Sequence, residues 1–208
     1  MTILALEFSS ERRSVALARD GVLLAEAGET GGRDTQAFAL IEKVLLAGNT
    51  VREEIEVIAV GLGPGSYTGI RAAIAVAQGW QLARGTKLIG VSSVDALAAA
   101  AQAAAIFGRV NVAVDAQRGE LYLATWQLSA ERREEISPLR IVPAAAVTAL
   151  QSAGEICVGP AAGTVLWPRA ALLAALAGGR RDFVAGEQLA PIYLRETSFV
   201  KAPAGRTF

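Results

Sequence analysis

Gly61-Leu62-Gly63-Pro64-Gly65-Ser66-Tyr67-Thr68-Gly69-Ile70-Arg71 lies between an apolar run, Val57-Ile58-Ala59-Val60, and a helix-like run over residues 72–84. In order these read as a buried strand, a glycine-rich turn and a helix. That layout gathers backbone N–H groups at the positive end of a helix, where they can hold an anion. The chemistry that usually accompanies such a turn is missing. No Lys follows the last glycine, so the segment is not a P-loop, and its glycine spacing is not that of a dinucleotide fingerprint. Pro64 stands where G-x-S-x-G needs its first glycine, so Ser66 is not in a nucleophile elbow. The chain contains no His.

Working outward, residues 2–6 form an apolar strand that ends in Glu7-Phe8-Ser9-Ser10. Residues 14–18 and 22–27 alternate around Asp20-Gly21, the signature of a hairpin. Asp34 is placed to cap a helix running to about Ala47, which Gly48-Asn49 stops. Beyond the glycine turn come helix 69–84 with Gly85 as its stop, strand 87–91, and helix 94–105 opened by Ser92 or Ser93.

The second half starts over. Strand 110–114 ends in Asp115-Ala116-Gln117-Arg118-Gly119, and residues 120–126 alternate on the far side of that turn. Glu7 and Asp115 take equivalent places. The pattern is an internal duplication of a β-β-β-α-β-α unit, hence an α/β fold of two lobes. The second copy is reduced: strand 136–142, helix 144–152, strand 155–158, Ala-rich helix 169–177, loop 178–186 and a closing segment 191–195. The boundary falls near Phe107-Gly108. It divides an N-terminal lobe, 1–107, which carries the glycine-rich turn and dimerisation helices, from a smaller C-terminal lobe, 108–208, whose last segment is expected to pack back on the first.

With 208 residues, 52% hydrophobic and 19% charged, the chain is globular, and its apolar surplus points to surface covered by a partner. Lys+Arg and Asp+Glu are each 20, whereas a tRNA- or DNA-binding surface normally needs a basic excess. The doublets Arg12-Arg13, Arg132-Arg133 and Arg180-Arg181 each have acids close by and read as solvated turns. Cys157 is the single cysteine, in keeping with a reducing cytoplasm, and sits in an apolar run as a core residue. No positive leader opens the chain, and Arg71, Gln78, Asp95 and Gln102 break its longest apolar stretches, so neither a signal peptide nor a membrane span is expected.

Glu7 and Asp115, at strand ends, are candidate general-base or metal-phosphate groups. Ser9, Ser10, Gly63, Gly65, Ser66, Thr68 and Arg118 complete a candidate nucleotide or anion site of vestigial character. The bland alternative makes both acids turn-formers bonded to backbone. With no His and one Cys, a zinc site could be built only from carboxylates, a Ser-His-Asp or Cys-His hydrolase is excluded, and Lys43, Lys87 and Lys201 have no serine motif nearby.

Helix 69–84 carries Arg71, Gln78, Gln81 and Arg84 in one arc, and is otherwise apolar or small, including Ile74 and Trp80. Such a helix must be buried on more than one side. Ala72, Ala73, Ala75, Ala77 and Gly79 permit close helix approach. The first helix has a matching surplus in Ala37, Phe38, Leu40, Ile41, Val44, Leu45 and Leu46. Two such helices suit a two-plus-two bundle across an interface, against the alternative of intramolecular core helices. The interface candidates are Asp34, Ala37, Phe38, Ile41, Leu45, Arg71, Ala73, Ile74, Ala77, Gln78, Trp80 and Gln81.

The chain resembles the TsaB family, also called YeaZ, which acts in tRNA threonylcarbamoyladenosine synthesis. The matching pieces are residues 3–10, the glycine segment 61–71, Gly90-Val91-Ser92-Ser93-Val94-Asp95-Ala96-Leu97, residues 115–122, and Pro191-Ile192-Tyr193-Leu194-Arg195, in the family's order over nearly the whole chain. The resemblance implies an actin/Hsp70/sugar-kinase-like (ASKHA) fold and a cytoplasmic subunit with no catalytic chemistry of its own. It implies pairing with a catalytic relative, TsaD, through the first-lobe helices, and homodimers through the same helices when that partner is absent. An ATPase, TsaE, joins the pair. No cofactor is intrinsic to the chain, ATP and metal belong to the partner subunits, and tRNA is met only through the complex. Glu7 stands where the family usually has Asp, Asp34 where a His is common, and the second lobe is short. The alternative is a small ASKHA-type nucleotide-binding ATPase or phosphotransferase using Glu7, Ser9, Ser10, Asp115 and the turn 63–69. A peptidase is opposed by the missing imidazole.

Overall fold

The computed structural model describes residues 1–31 and 36–195. The first three strands, β1 (Thr2–Glu7), β2 (Arg12–Arg19) and β3 (Val22–Thr30), form an antiparallel meander. Asp20 and Gly21 both take positive φ at the first hairpin, the geometry that an Asp-Gly turn supplies. β4 (Val57–Gly61) and β5 (Lys87–Val91) add parallel to β1, giving the order β3-β2-β1-β4-β5. Parallel pairing needs crossovers, and helices α1 (Ala37–Ala47) and α2 (Tyr67–Arg84) supply them on one face of the sheet. The described part of α1 starts with Gln36 at its N-cap and no side-chain bond there; Asp34, expected as the cap, lies outside the described residues. α2 begins at Tyr67, two residues before the expected start, because the Ser66 hydroxyl accepts the Gly69 N–H and caps it.

Helix α3 (Ser93–Ala103) leads to the second sheet, β6 (Gly108–Asp115), β7 (Glu120–Leu128) and β8 (Arg133–Pro143), followed by α4 (Ala144–Ser152), β9 (Ile156–Val158) and α5 (Ala170–Ala177). Its order, β8-β7-β6-β9, repeats the first sheet without a counterpart of β5. The β-β-β-α-β-α duplication is therefore present, with the second copy reduced, and the architecture is the ASKHA fold.

The lobes are tied by an exchange of helices. β1 is buried throughout: Leu4 and Leu6 meet α1 and α2, while Ile3 and Ala5 meet α5, which comes from the second half of the chain. Reciprocally, Val94, Leu97, Ala98 and Ala101 of α3 fill the core over β6 and β7 with Val110, Val112 and Trp126. Cys157 is buried beside Leu123 and Val147, as its apolar run predicts. The chain then returns to the first sheet: Val184 N–H bonds to Leu88 O at 3.0 Å, and Ile192 N–H to Leu62 O at 2.9 Å. Among the described residues, no helix is long and apolar enough to cross a membrane.

Candidate functional site

The glycine segment packs against the end of β1. A Cβ on Gly65 would lie 2.1 Å from Ser9 O, and one on Gly69 would lie 2.0 Å from Phe8 O, so neither position admits a side chain. Three of the turn's donors are used inside the chain. Ser66 N–H bonds to Ser9 O at 2.7 Å, Leu62 N–H to Val91 O at 2.8 Å, and Gly63 N–H to the Ser93 hydroxyl at 3.1 Å. A loop built to cradle phosphate would leave such donors facing solvent. Here glycine serves close backbone approach instead.

Glu7 is completely buried. Its carboxyl accepts the Ser9 N–H at 2.7 Å and the Ser93 hydroxyl at 2.8 Å. Burial pushes its pKa up, and the bonds from Ser9 and Ser93 pull it part of the way back. A carboxyl so enclosed cannot meet a ligand, which corrects its expected place beside Asp115 as a general base or metal-phosphate group. Asp115 is exposed, and its two oxygens accept the Gln117 N–H at 2.8 Å and the Gln117 side-chain amide at 2.6 Å. It closes its own turn, the simpler of the two roles open to it.

Between the lobes lies a cleft of about 640 Å³ lined by Ser9, Ser10, Gly65, Ser66, Tyr67, Asp115, Gln117, Tyr122 and Trp167, among others. It brings together much of the candidate anion site. Gly63 is buried under Ser93, Thr68 points to solvent from the first turn of α2, and Arg118 sits exposed at positive φ just past Gln117. Ser10 donates to Arg12 O at 2.8 Å.

The face of α1 and α2 required a larger revision. Ala73 and Ala77 are 0% exposed, and Ile74, Ala37, Ile41 and Leu45 are also buried; all six pack on the sheet of their own chain. Gln78 and Gln81 face the returning tail. The Gln78 amide donates to Gly186 O at 2.8 Å, and the Gln81 carbonyl accepts the Gly186 N–H at 2.7 Å. Arg71 is exposed, and its guanidinium bonds the Tyr67 hydroxyl at 2.9 Å. What remains outside is different and strongly apolar. Leu82 is 91% exposed, Leu46 85% and Phe38 66%, and Ala75, Gly79 and Ala83 form a smooth exposed strip along α2. Phe38, Ile41, Val76 and half-buried Trp80 line a groove of about 430 Å³ between the helices, with Arg52 and Arg84 at its rim. Both rim arginines are held, by Glu42 and Glu53 respectively. Sequence reasoning missed Leu82 and Ala83. Their signal was present, since at 100° per residue positions 75, 79 and 82 fall on the side opposite 73 and 77, and position 83 lies at the flank of that side. It also missed Tyr193, which stacks on Tyr67 with ring centroids 5.5 Å apart.

A family model described as "TsaD: tRNA N6-adenosine threonylcarbamoyltransferase" matches residues 34–170. The Escherichia coli protein named tRNA threonylcarbamoyladenosine biosynthesis protein TsaB is 37% identical over 61% of this chain, which spans just over half (55%) of that relative's length. Its Haemophilus influenzae namesake is 30% identical over 76% of this chain and 72% of its own. Among solved structures, YeaZ from Pseudomonas aeruginosa superposes with a TM-score of 0.78 at 30% identity, covering 93% of this chain and 99% of that one. With its Haemophilus influenzae relative 30% identical over 76% of its length and the YeaZ structure superposing over 93% of it, this chain belongs to the TsaB (YeaZ) family.

Proposed function

We propose that this chain is a non-catalytic activating subunit in tRNA threonylcarbamoyladenosine synthesis, docking a TsaD-type threonylcarbamoyltransferase on the exposed face of α1 and α2. The observation that carries this is the leucine and small-residue surface: Leu82, Leu46 and Phe38 stand in solvent on the two helices, and Phe38, Ala75 and Gly79 line a groove between them. Exposed apolar patches of this kind mark interaction sites, and small residues let a second pair of helices approach closely. The chemistry supports a scaffold. The chain has no His, its one strand-end acid at the glycine turn is enclosed, and the turn's Leu62, Gly63 and Ser66 N–H groups are satisfied internally. In this reading a TsaE-type ATPase joins the pair, ATP and metal sit on the partner subunits, the complex is cytoplasmic, and without TsaD the same face forms a homodimer.

Light scattering of the purified chain, alone and mixed with the TsaD homologue of the same organism, tests it. The expected result is a homodimer that exchanges into a one-to-one heterodimer, and loss of both in Leu82→Glu. A chain that stays monomeric and ignores TsaD would sink the scaffold reading. The interlobe cleft favours one competitor, a small ASKHA-type ATPase or phosphotransferase, and calorimetry showing no heat with ATP would remove it.

A further inference from the structure

We propose that the mouth of the interlobe cleft contacts single-stranded RNA directly, by stacking unpaired bases on its exposed rings and pairing phosphates with three arginines. This deepens the reading above and rests on it for the identity of the RNA. Tyr67 is 54% exposed and Tyr193 47%; they stack on each other and leave ring surface to solvent. The Arg71 guanidinium carbon lies 5.2 Å from the Tyr67 ring. Trp167 also lines the cleft, and the Arg12 guanidinium carbon lies 5.2 Å from its ring. Arg118 extends from the turn that contributes Gln117. Arginines elsewhere are mostly held by carboxylates, as Arg19 is by Glu54 and Arg84 by Glu53. Among the described residues, Arg12, Arg71 and Arg118 form no such pair; the acids lining the cleft are Glu11 and Asp115, the latter engaged by Gln117, and Arg12 lines the adjoining pocket that shares Trp167, whose acids Glu26 and Glu29 are held by Arg169 and Arg13. A chain of no net charge has thus left unpaired guanidiniums where its rings are exposed. Arginine beside aromatic rings is the surface that holds unstacked bases and their phosphates. A free nucleotide fits less well, because the Gly63 and Ser66 N–H groups of the glycine turn are directed at Ser93 and Ser9 rather than into the cleft.

The test is fluorescence anisotropy with a labelled tRNA anticodon stem-loop and a fully paired hairpin of equal length, using the chain alone and with its TsaD-type partner. The stem-loop is expected to bind at low salt and the paired hairpin about tenfold more weakly. Tyr193→Ala and Arg118→Glu should each lose about tenfold, with unchanged melting and unchanged heterodimer mass. Leu82→Glu should lose the partner while the isolated chain's RNA binding persists, so a failure of the scaffold reading is seen separately. Equal affinity for both RNAs, binding indifferent to both variants, no binding in either setting, or displacement of the RNA by ATP would each overturn the proposal.

Discussion

The Ser93 hydroxyl donates to the Glu7 carboxyl at 2.8 Å, joining residues 86 positions apart and fastening the start of α3 to the end of β1. Glu7 is enclosed, with its pKa raised by burial. The folded chain therefore holds this proton to higher pH than the unfolded chain does. Stability from this group is fully present at and below the ordinary glutamate range and falls as pH rises through the folded value. Glu7→Gln removes the titration. Melting curves from acid to neutral pH should show the variant gaining on the parent as pH rises. Parallel curves would refute the linkage.

Two glycines in one helix predict opposite outcomes. Gly69→Ala puts a methyl 2.0 Å from Phe8 O and should cost about 1–3 kcal/mol. Gly79→Ala meets nothing within 4 Å and should gain about 0.8–1.0 kcal/mol from helix propensity alone. Urea unfolding of the two variants reads the difference, and a stable Gly69→Ala would disprove the close approach.

The outward and inward faces of α2 separate association from folding. Ala75 is exposed, so Ala75→Arg should keep the melting temperature within a few degrees and weaken association with the TsaD homologue by about 2 kcal/mol or more. Ala73 is 0% exposed, so Ala73→Arg buries a charge with no room for it and should cost on the order of 4 kcal/mol. Light scattering and thermal melts on both variants check the pair. A folded, dimer-deficient Ala73→Arg would place the interface elsewhere.

Gln81 pins the returning tail. Its carbonyl accepts the Gly186 N–H at 2.7 Å, and its amide faces the carbonyls of Thr86 and Val184. Gln81→Ala should cost about 1–3 kcal/mol and speed proteolytic cleavage around residues 183–188, read by mass spectrometry of timed digests. An unchanged digestion pattern would mean that the bridge from Val184 to Leu88 holds the tail unaided.

The duplication was legible because its signals are local. An apolar run ending in an acid, a polar turn and an alternating strand recur at Glu7 and Asp115, and strand and helix follow from period and punctuation. The face of a helix was less legible. Ala73 and Ala77 are chemically the same as Ala75 and Ala83, and only the sheet beneath decides which pair is buried. Gln78 and Gln81 misled for a related reason: their partner, Gly186, lies 108 and 105 residues away, beyond any local pattern. Both readings of Glu7 stay open in the sequence because it records the charge and Gly61 but not their meeting in space: a Cβ at 61 would lie 2.3 Å from the Glu7 oxygen, and its absence lets the carboxyl tuck in.

The crossing of α3 and α5 between the lobes has a consequence for how the chain is made. Synthesis proceeds from the N-terminus, so all five strands of the first sheet emerge long before Ala170–Ala177, the helix that covers Ile3, Ala5 and Ala59. Until then one face of that sheet is bare and apolar on the ribosome. A released chain ending at Val91 would be a half-clad sheet rather than a finished module, and a gene cut at the midpoint would encode two fragments that each lack a wall.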